Sequence, residues 1–214
     1  MATWADWLKI AREKGVPLHE TTNINLAEDI KRLNNSGLPV YDLLLIEGKD
    51  YQKDKKKIKE FSEKHDQCWV RIYSKQKEER YHKLDLKSYN EIVSFIENLS
   101  IDLKEFIIQV FEYHTNKFGC NVISDGENVN IEMVRGVQDI VDRGNSNSFN
   151  GVLTVNGILT FREENVSEDI KKAAKKILSY LRLSRNEYIK GYFEIAFSDE
   201  DEVYFLDYKT NLKI

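Results

Sequence analysis

Residues Gly191–Asn211 read GYFEIAFSDEDEVYFLDYKTN, two apolar, aromatic-rich runs joined by the acidic stretch Asp199-Glu200-Asp201-Glu202. Each run carries a carboxylate inside it: Glu194 between Phe193 and Ile195, and Asp207 between Leu206 and Tyr208. A buried carboxylate is costly unless a cation or hydrogen-bond donors compensate it. If both runs are strands closed by a two-residue Glu200-Asp201 turn, positions 194 and 207 fall opposite each other. Period-2 alternation then puts Glu194, Asp207, Lys209 and Asn211 on one face. Facing carboxylates repel, and a divalent metal relieves the repulsion, so the pair is a candidate metal site. The competing reading is the solvated face of an edge hairpin. The aromatics on both runs and the Lys209 cation favour a site.

Working outward, the 214 residues suffice for one two-lobed domain or two small ones. A net charge of −4 with 32% charged residues argues against a dedicated nucleic-acid binder. Plentiful aromatic and branched apolar residues argue against disorder. The start, MATWADWLKIAREK, has no apolar core of a signal peptide, and no window reaches membrane-spanning length; a cytoplasmic protein is expected. Cys68 and Cys120 have no metal-type spacing and sit in apolar runs, which reads as buried reduced thiols, with a disulfide left open. His19, His65, His82 and His114 share no ligand spacing, and no glycine-rich phosphate loop occurs.

Thr3 is placed to cap a short helix with Trp4, Trp7, Leu8 and Ala11 on one face, and a second helix is expected over about 25–35, ending before Gly37. Strands follow at 41–46 and 68–73, separated by a charged surface helix over 49–64 anchored by Ile58 and Phe61. Ser88 with Glu91 makes a capping box ahead of Ile92, Phe95 and Ile96. The near-continuous apolar run 106–112 reads as a strand buried on both faces. Strands at 119–124 and 129–134 flank the turn Asp125-Gly126. Asn156-Gly157 centres a hairpin of type I′ chemistry within 152–161, after a polar loop at 144–150 that reads as a connector. Ser167 caps a helix whose stripe is Ile170, Ala173, Ala174, Ile177, Leu178 and Leu181. Helices and single strands first, then an antiparallel region with a packed helix, make an α+β chain. The expected division is an N-terminal lobe over 1–105 and a C-terminal lobe over 106–214. Arg71, between Val70 and Ile72, needs an anionic partner if it faces inward; a triphosphate and Glu194 both qualify.

The order of these pieces resembles the nucleotide-binding domain of phosphoenolpyruvate synthase and pyruvate phosphate dikinase. Asn25-Leu26-Ala27-Glu28, a helix, then Gly37-Leu38-Pro39-Val40 before a strand is similar to that family's opening. Val70-Arg71 resembles its arginine-bearing strand. Phe106 to Gln109, then Gly119, resemble its next strand and turn; Ile131 to Gly136 resembles the run before its glycine loop. Glu194 followed by Leu206-Asp207-Tyr208-Lys209 is similar to its closing motif, with Asp and Lys for the family's Gln and Arg. The resemblance implies an ATP-grasp fold, with ATP and magnesium held between two α+β lobes. It implies Glu194 and Asp207 as Mg2+ ligands and Arg71 and Lys209 as phosphate and catalytic contacts. Arg135 becomes a further phosphate contact, and Gln109 and Glu112 become nucleotide contacts. The family's lysine before N-L-A-E falls at Thr22 here, so that cation is missing.

The implied activity is ATP-dependent phosphoryl transfer to an unidentified small-molecule or protein acceptor. Two alternatives stay open: a catalytically inactive relative serving as a binding module, with Trp4 and Trp7 as candidate contacts, and one subunit of a split enzyme, as a homo-oligomer or with a partner chain. No nucleic-acid or membrane partner is expected.

Overall fold

In a computed structural model of the chain, residues 32–75, 79–136, 148–153, 158–185 and 187–209 are described, Lys209 by its backbone alone. The expected helix near Thr3, Thr22 and Asn211 lie outside them. The described residues fall into two compact units, one formed by residues up to 40 together with 115 onward, the other by 41–114.

The second of these is a four-stranded antiparallel sheet with two helices on one face. Its strands are β1 (Leu43–Glu47), β2 (Cys68–Ser74), β3 (Arg80–Leu86) and β4 (Phe106–Glu112), in the order β1-β4-β2-β3. Helix α1 (Tyr51–Lys64) buries Tyr51 and Ile58, and α2 (Tyr89–Glu97) buries Ile92 and Ile96. These pack on Cys68, Val70, Ile72, Ile108 and Val110, every second residue of β2 and β4. Ser88 caps α2 as expected, with Glu91 N donating to Ser88 Oγ at 3.3 Å, but the Glu91 carboxylate accepts from Lys87 N, one residue before the cap, and not from Ser88 N. Strand β3 has no counterpart in the sequence reading. Only Leu86 in it is buried, so it carries no apolar alternation to find.

Strand β4 is buried on both faces as expected, but it belongs here. It was expected to open the C-terminal lobe, yet its partners are β1 and β2, and the units divide after it. A continuous apolar run says that a strand is central without saying in which sheet.

The other unit is a six-stranded antiparallel sheet, order β12-β11-β5-β6-β7-β8. The strands are β5 (Asn116–Ser124), β6 (Val129–Arg135), β7 (Phe149–Leu153), β8 (Leu159–Phe161), β11 (Gly191–Ser198) and β12 (Val203–Lys209). Helix α3 (Glu168–Leu181) buries the whole expected stripe, Ile170 to Leu181, against Cys120, Val122, Ile131, Met133, Phe193, Ile195 and Phe205. A two-stranded ribbon, β9 (Arg182–Ser184) with β10 (Glu187–Tyr188), follows it. Residues 32–35 are helical, and Gly37 beyond them takes φ +75°, the left-handed stop expected there. Asp125 closes the β5–β6 turn by accepting from Glu127 N and Asn128 N. Leu153 pairs with Leu159, and Asn156-Gly157, where a type I′ turn was expected, lie outside the described residues.

Both thiols are free and buried, one in each unit. No helix among the described residues is long and apolar enough to cross a membrane.

Candidate functional site

The closing hairpin brings Glu194 and Asp207 opposite each other. It does so by a route the sequence reading did not foresee. Asp201 N donates to Ser198 O, Ser198 N donates to Glu202 O, and Asp201 takes φ +62°, so the turn has three residues, 199–201. That turn alone would set Glu194 against position 206. A bulge restores the pairing: Ile195 faces Phe205, Glu194 faces Asp207, and Leu206 is the extra residue. The acidic turn is held by cations of its own unit, with Lys117 Nζ 3.2 Å and Lys172 Nζ 3.3 Å from the Asp201 carboxylate and Lys176 Nζ donating to its backbone carbonyl. Those lysines hold the Asp201 carboxyl below its ordinary range.

The carboxylate pair continues as a polar row across the sheet. Glu194 pairs with Asn121 on β5, Asn121 with Glu132 on β6, and Glu132 with Asn150 on β7. By alternation the row lies on the face turned away from α3. Asn121 is 1% and Glu132 2% exposed. Tyr192, fully buried, directs its hydroxyl to Asn121 Oδ1 at 3.1 Å and Glu194 Oε1 at 3.2 Å, which fixes the inner end of the pair. Sequence reasoning missed Asn121, Glu132 and Tyr192. Polar residues alternating with Val122, Ile131 and Phe193 on adjacent strands were the signal. The backbone of Lys209 pairs with Tyr192.

Arg135 goes elsewhere. Its guanidinium forks onto Asp169, Nη1 to Oδ2 at 3.0 Å and Nη2 to Oδ1 at 3.4 Å, and donates to Ser167 Oγ at 3.1 Å. It pairs with Phe118 on the α3 face, opposite the polar row. These contacts with Asp169 and Ser167 close the first turn of α3. Ser167 is the N-cap as expected, but its side chain makes no capping bond to the helix backbone.

In the four-stranded unit, Arg71 and Gln109 are direct register partners, flanked by Trp69 with Phe111 and Tyr73 with Ile107. All lie on the face turned away from α1 and α2. Arg71 stands over the Trp69 ring at 4.5 Å and the Phe111 ring at 5.9 Å, and those rings stack at 4.8 Å. Gln109 is fully buried, and neither its Oε1 nor its Nε2 has a hydrogen-bond partner. Tyr73 Oη and Trp69 Nε1 are likewise buried without one. Burial pushes the Tyr73 hydroxyl well above the ordinary phenol range, so it stays protonated at neutral pH.

Glu112, expected beside Gln109 in nucleotide contact, is on the helix-facing side of β4, opposite Cys68. Its carboxylate meets His114 Nε2 at 2.7 Å, His65 Nδ1 at 3.5 Å and Asp42 N at 3.3 Å. His65 Nε2 in turn meets Asp42 Oδ2 at 3.0 Å, and Lys64 pairs with the same oxygen. Lys64 and then His65 hold the Asp42 carboxyl low against the opposing effect of burial. Among the described residues no group of three or more His, Cys, Asp or Glu side chains is arranged to hold a metal.

No family model and no curated protein matches the chain. Among solved structures it is similar to D-alanyl-alanine synthetase A of Vibrio cholerae, with a TM-score of 0.48 and 10% identity over 96% of this chain and 62% of that one. It is similar to VanG D-Ala:D-Ser ligase of Enterococcus faecalis, TM-score 0.46, 12% identity, over 84% of this chain and 50% of that one. A RiPP-associated ATP-grasp ligase of Chryseobacterium gregarium, in complex with ADP and a leader and core peptide, gives TM-score 0.44 and 14% identity over 86% of this chain and 51% of that one. The chain thus spans about half to three-fifths of their lengths. At these scores the likenesses carry nothing about substrate. The resemblance to phosphoenolpyruvate synthase stands on the sequence motifs alone.

Proposed function

We propose that this chain binds Mg2+ and ATP in the manner of an ATP-grasp domain and transfers a phosphoryl group to a small-molecule or peptide acceptor. The observation that carries the reading is Glu194 facing Asp207 at the bulge, in a row that continues through Asn121 and Glu132. The donor set fits the ion. Mg2+ takes hard oxygen ligands and is bound by one or two carboxylates plus substrate phosphates, not by an all-protein cage. A facing pair of carboxylates meets that requirement.

Glu194 and Asp207 would hold the ion, with Asn121 and Glu132 as the adjoining oxygens of the same face. Tyr192 orients Glu194 by hydrogen bond, which keeps that carboxylate aimed along the row. Lys209 is the proposed phosphate contact on this hairpin, and Arg71 and Gln109 are proposed as nucleotide contacts of their own unit. The Arg71 guanidinium lies over the Trp69 and Phe111 rings, which keep its plane fixed. When bound, Mg2+–ATP supplies the transferable phosphoryl group and neutralises charge on it.

Calorimetric titration of the full chain with Mg2+ and ATP tests this. Wild type is expected to bind, and the Glu194→Ala, Asp207→Ala double variant to lose Mg2+-dependent binding. Unaltered binding by the double variant overturns the metal assignment.

One observation favours a second reading, nucleotide binding without transfer. Two residues expected at the nucleotide, Arg135 and Glu112, are engaged by Asp169 and by His65 with His114. That reading predicts binding with no ADP release in the presence of any acceptor, measured by coupled assay.

A further inference from the structure

Helix α3 is too narrow to cover the six-stranded sheet. A helix is about 10 Å across and neighbouring strands lie about 4.8 Å apart, so one helix spans about two or three strands. At the β8 end of the same face a cavity of about 290 Å3 opens between β8, the segment that follows it and α3. Its floor is apolar, made by Leu159, Phe161 and Val166. Leu159 and Phe161 close down on β7 over Gly151, where a Cβ would lie 3.2 Å from Leu159 Cδ1 and 3.1 Å from Phe161 Cε1. The volume is at the lower bound of small-molecule pockets, which suits a ligand smaller than a drug-sized one.

Four charged side chains complete the lining, two of each sign. Lys171 and Lys175 stand one turn apart on α3, and Glu163 and Glu164 belong to the segment between β8 and α3. Two of the four are already engaged. Glu163 accepts from Asn150 N at 2.9 Å and from Asn150 Nδ2 at 3.4 Å, and Lys171 Nζ pairs with Glu168 at 2.8 Å. The other two, Glu164 and Lys175, make no hydrogen bond and no close ion pair with each other or with any other described residue; Lys175 acts on Glu168 only from a distance. One cation and one anion therefore border an apolar floor with their charges unmatched.

That pattern narrows the ligand. A plain anion would meet Lys175 but face two carboxylates, and a plain cation would meet Glu164 but face two ammonium groups. A hydrocarbon would fill the floor and shield both charges from water without offering either a partner, which costs free energy. A compact zwitterion with an apolar body meets all three surfaces. The geometry points to a site for a free α-amino acid with an aliphatic or aromatic side chain: carboxylate on Lys175, ammonium on Glu164, side chain on Leu159, Phe161 and Val166. The cavity is on the α3 face of the sheet, whereas Glu194 and Asp207 are on the opposite face. It is therefore an accessory site, separate from the carboxylate row, and it stands whether or not that row holds Mg2+.

NMR titration of the full chain tests this with four probes: leucine, leucinamide, N-acetylleucine and glycine. Leucinamide lacks the carboxylate, N-acetylleucine lacks the ammonium group, and glycine lacks the apolar body. Leucine is expected to bind tightest and to shift the Phe161 and Val166 resonances but not those of Tyr192 on the other face. Each of the other probes should bind about three- to tenfold more weakly, as for loss of one partly exposed contact. Lys175→Met should bring leucine down to the leucinamide level and leave leucinamide unchanged. Glu164→Gln should do the same against N-acetylleucine. Both side chains are exposed and make no bond, so both variants should melt with wild type. Equal binding of leucine, leucinamide and N-acetylleucine overturns the proposal, as does no binding by leucine. Discrimination that survives in both variants overturns the placement at this cavity. The wild-type comparison decides the ligand class even if a variant fails to fold.

Discussion

Glu194 and Asp207 face each other only because Leu206 is looped out of the ladder between Phe205 and Asp207. The bulge absorbs the one-residue offset of the three-residue turn, and it puts Tyr208 back on the core face, where its ring stacks on Phe193 at 4.6 Å. Deleting Leu206 should therefore leave the pairing intact, because Asp207 would then follow Phe205 directly and still meet Glu194. The deletion is expected to keep Mg2+–nucleotide affinity within a few-fold of wild type. Inserting one residue after Phe197 should abolish that affinity, because a one-residue slip reverses every side chain of the strand. Titration of both variants checks the pair.

Asp169 gives a pH prediction. Hydrogen bonds from Ser167, Arg135 and the Ile170 backbone outweigh burial and lower its carboxyl from 3.8 to about 2. A folded-state value below the unfolded one means stabilisation that is present above the unfolded pKa and lost as pH falls through the folded one. The contribution should be full above about pH 5, fade between about 4 and 2, and vanish below. Asp169→Asn should lower the denaturant midpoint at pH 7 and leave it unchanged at about pH 1, below the folded-state value. Because the pair with Arg135 is partly exposed, the loss should shrink in high salt.

Gly48 has no room for a side chain. A Cβ there would lie 1.7 Å from the Leu103 carbonyl oxygen and 2.8 Å from that of Phe106, and these are backbone atoms that cannot swing away. Gly48→Ala should destabilise by about 1–3 kcal/mol or more, the usual cost of overpacking, read as a lower urea midpoint at unchanged slope.

Helix α3 offers an internal control. Ile177 is fully buried, whereas Tyr180, three residues on, is 41% exposed. Ile177→Ala should cost about 2–5 kcal/mol and Tyr180→Ala much less, by the same measurement.

The thiols should be silent in the native protein. Burial raises Cys68 to about 11 and Cys120 further still. Neither should react with a thiol reagent at pH 8 until denaturant is added, when both should titrate.

The sequence made some of this legible and hid the rest for physical reasons. The stripe of α3, the cap at Ser88 and the stop at Gly37 are local, and their periodicities survive into the fold unchanged. Strand β3 was invisible because an edge strand with one buried residue carries no apolar pattern. The bulge at Leu206 was invisible because two errors cancelled, a turn one residue longer and a ladder one residue looser. Of the site, Glu194 and Asp207 were readable as acids among aromatics. Glu132 and Asn121 were not, since each strand looked ordinary by itself and only pairing lines them up. Arg135 looked free to bind phosphate because its partner, Asp169, lies 34 residues away.

The joins between the units have one further consequence. The chain leaves one unit after Val40 and re-enters it at Thr115, and everything between belongs to the other. At those joins the Tyr41 and His114 rings stack at 5.5 Å, and Asp42 and Glu112 exchange backbone and side-chain hydrogen bonds. Residues 41–114 therefore begin and end at the same spot, which is the anatomy of an inserted cassette. Such a segment is a candidate for excision and separate expression, and for replacement by a short linker in its host. Its orphan polar face and the acidic row could then be assayed in separate tubes.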